Sequence, residues 1–188
     1  MEQKFDIIII GGGMAYTFFK ALGGHIGNSL CETERLDTCL EILNKAKTKG
    51  VQIHLPIDAI AADRFAADAN TQIEPSNAIS EDRMGLDIGP KAIADFEAVL
   101  LQSKTILWNG PMGVFEMPAF ENGTKSMALA VASATKNGAF SLIGGGDSAA
   151  AVQKFELSSQ VSYVSTGGGA LLEYFEGKVL PGVAALEA

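Results

Sequence analysis

The stretch Asp6-Ile7-Ile8-Ile9-Ile10-Gly11-Gly12-Gly13 joins four isoleucines to three glycines. The isoleucine run is short, continuous and β-branched, which predicts a strand buried on both faces, as in a parallel sheet. The residues that follow, 14–22, are expected to form a helix. A strand that passes through glycines into a helix is typical of doubly wound α/β folds.

The same order of strand, glycines and helix returns twice more along the chain. Apolar runs at residues 139–143 and 161–164 end at Gly144-Gly145-Gly146 and Thr166-Gly167-Gly168-Gly169, and a predicted helix follows each. Further strands are expected at 51–55 and 105–108, and helices at 33–49, 90–102 and 118–136. Residues 58–84 are less regular and indicate short strands or a surface excursion. We expect one three-layer α/β/α Rossmann-like domain with a mainly parallel, doubly wound sheet.

The composition excludes several classes of function. The 188 residues include 14 Lys and Arg against 22 Asp and Glu, a formal net charge of −8. A chain this acidic lacks the positive surface of a nucleic-acid binder. No apolar run is long enough to cross a bilayer, and the first residues do not resemble a signal peptide, so we expect a cytoplasmic protein with no membrane partner. Two cysteines, Cys31 and Cys39, do not make a disulfide framework or a metal cluster, so we expect reduced thiols. If both lay on one helix, about 12 Å of axial rise would keep them unbridged.

The glycine turns indicate a site for phosphate groups. Ligands of open parallel sheets bind beyond the carboxyl ends of the strands, and glycine leaves the amides at a helix start uncovered. One such turn is as well explained by packing. Three of them, with Asn109-Gly110-Pro111-Met112-Gly113, favour a ligand, because each glycine costs roughly 0.5–1 kcal/mol of chain entropy.

The common nucleotide fingerprints are absent. Tyr16 stands where the dinucleotide motif has its third glycine, and no acidic residue ends the strand at 51–55. No Gly-Lys-Ser or Gly-Lys-Thr follows a glycine run, which excludes a P-loop. A nicotinamide-dependent oxidoreductase is therefore disfavoured, although it stays an alternative.

Two acidic residues each have two interpretations. Asp147, directly after Gly144-Gly145-Gly146, is either an N-cap of the next helix or a magnesium ligand. Glu116 is either a ribose ligand or a carboxylate in the first turn of a helix. His25 and His54 lack a metal-binding pattern and are expected to be structural.

Five stretches taken together are far more specific than any one glycine turn. They resemble signatures of the phosphoglycerate kinase family, occur in that family's order and span the whole chain. The stretches are residues 10–18 (IGGGMAYTF), 84–90 (MGLDIGP), 108–116 (WNGPMGVFE), 143–150 (IGGGDSAA), and 165–170 (STGGGA) with 180–183 (LPGV).

The resemblance implies reversible phosphoryl transfer in glycolysis between 1,3-bisphosphoglycerate and MgADP, giving 3-phosphoglycerate and MgATP. It identifies residues 1–188 as the nucleotide-binding, carboxyl-terminal domain of the family, with Mg²⁺ and ADP or ATP bound. Glu116 would bind the ribose, and Asn109 and Pro111 would lie along the phosphates. The residues implied around the adenine are Gly12, Gly13, Gly85, Leu86 and Val114.

The resemblance also implies the metal and transfer site. Asp147 would bind the metal, and Gly145, Gly146 and Ser148 would donate to the terminal phosphate. The turn at residues 167–169 would face the transferred group. The catalytic residues implied in this way are Gly146, Gly168 and Gly169.

The chain departs from the family pattern in one large respect. The family's amino-terminal domain, which binds the triose, and the first strand of this domain with its lysines have no counterpart here. We therefore expect no turnover by this chain alone, and 3-phosphoglycerate binding only with the missing domain. A complementary fragment of the same enzyme is the expected partner, with self-association or impaired nucleotide binding as alternatives. A stand-alone domain that binds MgADP or MgATP without catalysis is the second functional hypothesis.

Overall fold

The protein is described by a computed structural model that covers residues 5–165 and 167–187. The chain forms two compact units. The first unit comprises Met1–Val99 and Pro111–Met127, and the second comprises Leu100–Gly110 and Ala128–Ala188. Among the described residues, none of the helices has the length and apolar character that a membrane crossing requires.

The first unit begins with the predicted strand, glycine turn and helix. Strand β1 (Ile7–Ile9) leads into helix α1 (Gly12–Ala21), and a short strand, β2 (His25–Ile26), follows. Helix α2 (Leu36–Lys49) leads to β3 (Gln52–His54), which pairs with β1 in parallel. Gly50 ends α2 in the left-handed conformation (φ 71°), the C-terminal signal that the sequence predicts.

The two cysteines do not lie on one helix, so the separation considered for that case does not apply. Cys39 lies in α2, whereas Cys31 precedes the short 3₁₀ turn at Thr33–Arg35 that leads into it. Both thiols are free, as predicted.

The irregular region of the sequence forms short strands, one of the two structures predicted for it. Strands β4 (Asp58–Ala62), β5 (Thr71–Pro75) and β7 (Met84–Ile88) form an antiparallel sheet in the order β5-β4-β7, and β6 (Ala78–Ile79) pairs with β2 in parallel. Strand β7 has no counterpart in the sequence prediction. Helix α3 (Pro90–Gln102) follows β7 and has the predicted bounds.

The second unit contains a parallel sheet in the order β10-β9-β8. Its strands are β8 (Thr105–Asn109), β9 (Phe140–Gly144) and β10 (Tyr163–Val164). Helix α5 (Gly146–Lys154) follows β9, helix α6 (Gly168–Phe175) follows β10, and α7 (Pro181–Glu187) comes last.

The helix predicted at 118–136 is shorter than expected. Pro118–Phe120 forms a separate 3₁₀ turn, and α4 (Asn122–Lys136) begins two residues later. The start at Asn122 is fixed by a buried side chain from β7, which accepts a hydrogen bond from the Gly123 amide. No local sequence signal could reveal that contact.

The fold class is Rossmann-like α/β, as predicted. Among the described residues, four of the six strand pairings are parallel and two are antiparallel. Each triple-glycine turn joins the carboxyl end of a parallel strand to a helix.

Candidate functional site

The first unit contains a cavity of about 480 Å³. Helix α1, β7 and residues 111–114 contribute to its walls. Six of the residues named by the family resemblance line it together, and their function as nucleotide ligands stays a prediction. They are Gly12, Gly13, Gly85, Leu86, Pro111 and Val114.

Gly12 is glycine for reasons of conformation and space. Its φ is +61°, a left-handed conformation that other residues adopt at a cost. A Cβ atom at Gly12 would lie 2.7 Å from the carbonyl oxygen of Pro111. The lack of a side chain therefore lets α1 approach residues 111–114 closely, so the packing explanation is sufficient at Gly12.

Gly85 makes room for Tyr16. A Cβ atom at Gly85 would overlap with the hydroxyl of Tyr16, which lies on α1 and lines the cavity. Burial, and secondly the negative charge of Asp87, raise the pKa of the Tyr16 phenol above its usual value. Tyr16 thus presents a neutral hydroxyl beside the cavity, at the position where the dinucleotide motif requires glycine.

Asp87 is the buried acid of this cavity. Asp87 is 3% exposed. Its Oδ1 accepts a hydrogen bond from the Ile88 amide (2.9 Å), and its Oδ2 accepts one from the Gly123 amide (2.7 Å). Burial raises the pKa of the Asp87 carboxyl to about 7, and the two hydrogen bonds limit that rise. Asp87 therefore titrates near neutral pH.

Sequence analysis did not identify Tyr16, Asp87 or Phe65 as cavity residues. Phe65 is 60% exposed and lines the cavity from a polar loop. In that loop Arg64 forms ion pairs with Asp63 (3.3 Å) and Asp68 (3.0 Å). The sequence signal that could have identified Phe65 is a single aromatic residue within a stretch of charged residues.

In the second unit, the glycine turn before α5 contains backbone amides that make no hydrogen bond within the helix. Gly145, with φ +89°, is the N-cap of α5, and its carbonyl accepts the first helical bond, from the Ala149 amide (3.0 Å). The amides of Gly146, Asp147 and Ser148 precede that bond and have no hydrogen-bond acceptor among the described residues, as is usual for donors at a helix start. Such a group of amides, together with the helix dipole, favours an anion.

Gly146 has neither a steric nor a conformational reason to be glycine. A Cβ atom there would meet no described atom within 4 Å, and its φ is not left-handed. At Gly145, in contrast, a Cβ atom would collide with Oδ1 of Asn109. An open glycine at a helix start is the arrangement expected where a ligand approaches the backbone.

Asp147 is not the N-cap of α5, because Gly145 takes that position. Its carboxylate is exposed in the first turn and has no hydrogen-bond or ion-pair partner among the described residues. The described residues contain no group of three or more Asp, Glu, His or Cys that could hold a metal. Mg²⁺ is commonly bound by one or two carboxylates with phosphate oxygens and water, so a single free carboxylate beside unpaired amides fits Mg²⁺ that arrives with a nucleotide.

The hydroxyl of Ser148 is buried and already engaged. It accepts a hydrogen bond from the Gly110 amide (2.7 Å), in the turn that begins with Asn109. The Gly110 carbonyl in turn accepts from the Trp108 indole (2.7 Å). Ser148 therefore ties the turn after β8 to the start of α5, and its amide is the group that can reach a ligand.

The remaining predicted residues lie outside the cavity. Glu116 is exposed in a turn before the 3₁₀ segment, so it is not in the first turn of a helix, and it does not line the cavity. Gly168 and Gly169 begin α6, and a Cβ atom at Gly169 would meet no described atom within 4 Å. Thr166 lies outside the described residues.

These features define an α/β protein whose glycine turns present helix-start amides at the carboxyl ends of parallel strands. The family model for phosphoglycerate kinase matches residues 1–178. Phosphoglycerate kinases of Porphyromonas gingivalis and Mycobacterium avium are each 56% identical to the chain, over 98% and 99% of its length. The chain belongs to the phosphoglycerate kinase family.

Solved structures of the family agree with this assignment. A phosphoglycerate kinase from Coxiella burnetii superimposes with a TM-score of 0.89 and 47% identity, over 94% of this chain and 45% of that one. An enzyme from Pyrococcus horikoshii gives a TM-score of 0.78 at 29% identity, over 97% of this chain and 45% of that one. The two curated relatives are likewise covered over 44% of their length, so the chain spans a little under half of its relatives.

Proposed function

We propose that this chain supplies the nucleotide-binding part of a phosphoglycerate kinase, which transfers a phosphoryl group between 1,3-bisphosphoglycerate and MgADP. The observation that carries the proposal is the convergence of six residues, named from family motifs far apart in sequence, on one cavity of the first unit. Residues that served packing alone would have no reason to line one common cavity.

The base-binding half of the proposal concerns the first unit. Gly12 and Gly13 form one side of an adenine slot, and Leu86 and Val114 form the other. These walls are glycine backbone and aliphatic side chains, which suit the flat apolar faces of a purine. Glu116 is exposed and does not lie in the first turn of a helix. Its carboxylate would accept hydrogen bonds from the ribose hydroxyls.

The phosphate-binding half concerns the second unit. The amides of Gly146, Asp147 and Ser148 donate to the terminal phosphate, and Asp147 binds Mg²⁺. When bound, Mg²⁺ neutralises phosphate charge and orients the oxygens. Asn109 lies along the phosphate chain, and Gly168 and Gly169 leave the backbone open toward the transferred group.

The chemistry requires positioning and charge stabilisation, with no covalent enzyme intermediate. In the forward direction an oxygen of the ADP β-phosphate attacks the acyl phosphate of 1,3-bisphosphoglycerate. The carboxylate of 3-phosphoglycerate leaves as the bond to the transferred group breaks. Helix-start amides are suited to this transfer because they are fixed before the charge moves.

Turnover of the whole reaction is proposed only with the rest of the enzyme. The relatives are more than twice as long as this chain, and its exposed Lys20 and Lys91 lie in helices α1 and α3. We expect no ATP formation from 1,3-bisphosphoglycerate by the purified chain. Activity after addition of a complementary fragment would support this division, and turnover by the chain alone would contradict it.

Calorimetric titration with ADP, with and without Mg²⁺, tests the nucleotide site. We expect magnesium-dependent binding that Asp147→Ala weakens at least about tenfold, since one carboxylate of a Mg²⁺ site is lost. Asp95→Ala is the control, because Asp95 is an exposed aspartate on α3 without a role in the proposal. Absence of binding, or equal binding by Asp147→Ala, would contradict the proposal for this chain.

A further inference from the structure

Residues 111–114 form one wall of the cavity, and a single side chain holds their backbone. The hydroxyl oxygen of Thr124 accepts hydrogen bonds from the amides of Met112 (3.1 Å) and Gly113 (3.2 Å). Thr124 is fully buried. The next amide, of Val114, donates to the Leu86 carbonyl on β7 (2.9 Å). Three successive amides of this wall thus depend on two acceptors.

A second buried side chain fixes Thr124 itself. The Lys125 amide makes the first helical bond of α4, to the Glu121 carbonyl (2.9 Å), so the Gly123 amide is an unpaired donor of the helix start. Oδ2 of Asp87 accepts from that amide at 2.7 Å. Asp87, on β7, therefore caps α4 from a distant part of the chain and sets the position of the following residue, Thr124.

Two glycines leave the space that this arrangement needs. A Cβ atom at Gly113 or at Gly123 would overlap with the carboxylate of Asp87. Asp87 is therefore in close contact with both the wall and the helix start. We expect small displacements of Asp87 or Thr124 to move the wall, because close-packed groups transmit such changes.

We propose that Thr124 and Asp87 are positioning residues that hold residues 111–114 as a fixed wall of the nucleotide-base cavity. The inference rests on the proposed function, since it assumes that the base binds in this cavity. Thr124 does not line the cavity. Asp87 does line it, but both of its carboxylate oxygens already accept hydrogen bonds from the amides of Ile88 and Gly123, so we expect neither side chain to bind the nucleotide directly. Each acts by satisfying buried amides that would otherwise be free to turn toward the cavity or toward water.

The test compares four variants by calorimetric titration with MgADP and by hydrogen exchange of the Met112 and Gly113 amides. Thr124→Val keeps the shape of the side chain and removes the acceptor, whereas Thr124→Ser keeps the hydroxyl. Asp87→Ala removes the second anchor. Asp58→Ala is its matched control, because Asp58 is an equally buried aspartate of the first unit that caps α3 and does not line the cavity.

We expect Thr124→Val to weaken MgADP binding about tenfold and to speed exchange at both amides, and Thr124→Ser to bind within about twofold of the wild type. Asp87→Ala should weaken binding too, whereas Asp58→Ala should lower stability and leave affinity within about twofold. Equal affinity in Thr124→Val and the wild type would overturn the inference. An equal loss of MgADP affinity in Asp58→Ala and Asp87→Ala would also overturn it, because it would show that general destabilisation weakens binding. A wild-type chain that binds no MgADP would instead refute the proposed function.

Discussion

Single glycines of the turns differ in what they do for the protein. Gly12 has a left-handed φ and faces the Pro111 carbonyl, so its backbone conformation and its packing both require glycine. Gly146 has an ordinary φ and open space where a side chain would be. The sequence shows three similar glycine runs, but only coordinates separate glycines that serve the fold from glycines that leave room for a ligand.

Replacement by alanine should separate the two kinds. Gly12→Ala should lower the free energy of unfolding by at least about 2 kcal/mol, because alanine is strained at positive φ and its methyl group meets a backbone oxygen. Gly146→Ala should leave stability within about 1 kcal/mol, or raise it, and should weaken MgADP binding. Urea unfolding and calorimetry measure both quantities. If Gly146→Ala bound MgADP as tightly as the wild type, the open space at Gly146 would have no connection with a ligand.

Two helices of the first unit begin on caps that come from far along the chain. Asp58, on β4, accepts hydrogen bonds from the amides of Lys91 (3.2 Å) and Ala92 (2.8 Å) at the start of α3. Asp87 does the same for the Gly123 amide of α4. The residues before these helices include no Ser, Thr, Asp or Asn N-cap, so buried aspartates supply what the local sequence lacks.

The cap of α3 is expected to matter for stability. Asp58→Ala should lower the free energy of unfolding by about 1–3 kcal/mol, because two amides at the helix start, one of them buried, lose their acceptor. Asp95→Ala removes an exposed aspartate from the same helix and should change stability by less than about 0.5 kcal/mol. Urea denaturation of both variants gives the comparison. A similar small effect in Asp58→Ala would show that α3 does not depend on this cap.

The sequence could predict the features that depend on neighbouring residues, and it could not predict those that depend on contacts between distant parts of the chain. The strand-glycine-helix units, the end of α2 at Gly50 and the start of α3 at Pro90 rest on local signals, and each was predicted. The start of α4 depends on Asp87, which is 36 residues from Gly123, and was placed at Pro118 instead. Among the candidate site residues, motif resemblance predicted the six that share the cavity. Phe65 lies outside the motifs, and its place in the cavity results from the tertiary fold. Asp87 lies within the motif at 84–90, but its burial and its contact with the Gly123 amide follow only from the tertiary fold.

At the scale of the whole molecule, one buried acid couples folding to pH. The pKa of Asp87 is about 7 in the folded protein, against an ordinary value near 3.8, because burial disfavours its charged form. The folded state therefore holds this proton more tightly than the unfolded state does. The stabilisation is complete below about pH 4 and is lost as the pH rises through about 7. The phenol of Tyr16 has a raised pKa and stays neutral over this range.

Asp87→Asn should remove this part of the pH dependence, since asparagine has no proton to lose. The free energy of unfolding of the variant, relative to the wild type, should grow by on the order of 3 to 4 kcal/mol between pH 4 and 8 and then level off. Urea unfolding at constant ionic strength across this range measures the difference, and carbon NMR of the Asp87 carboxyl gives its titration midpoint directly. A midpoint near 4, or a difference that does not change with pH, would mean that the hydrogen bonds from Gly123 and Ile88 outweigh burial. The carboxylate would then be fully charged at neutral pH, and the cap on α4 would be an ionic one.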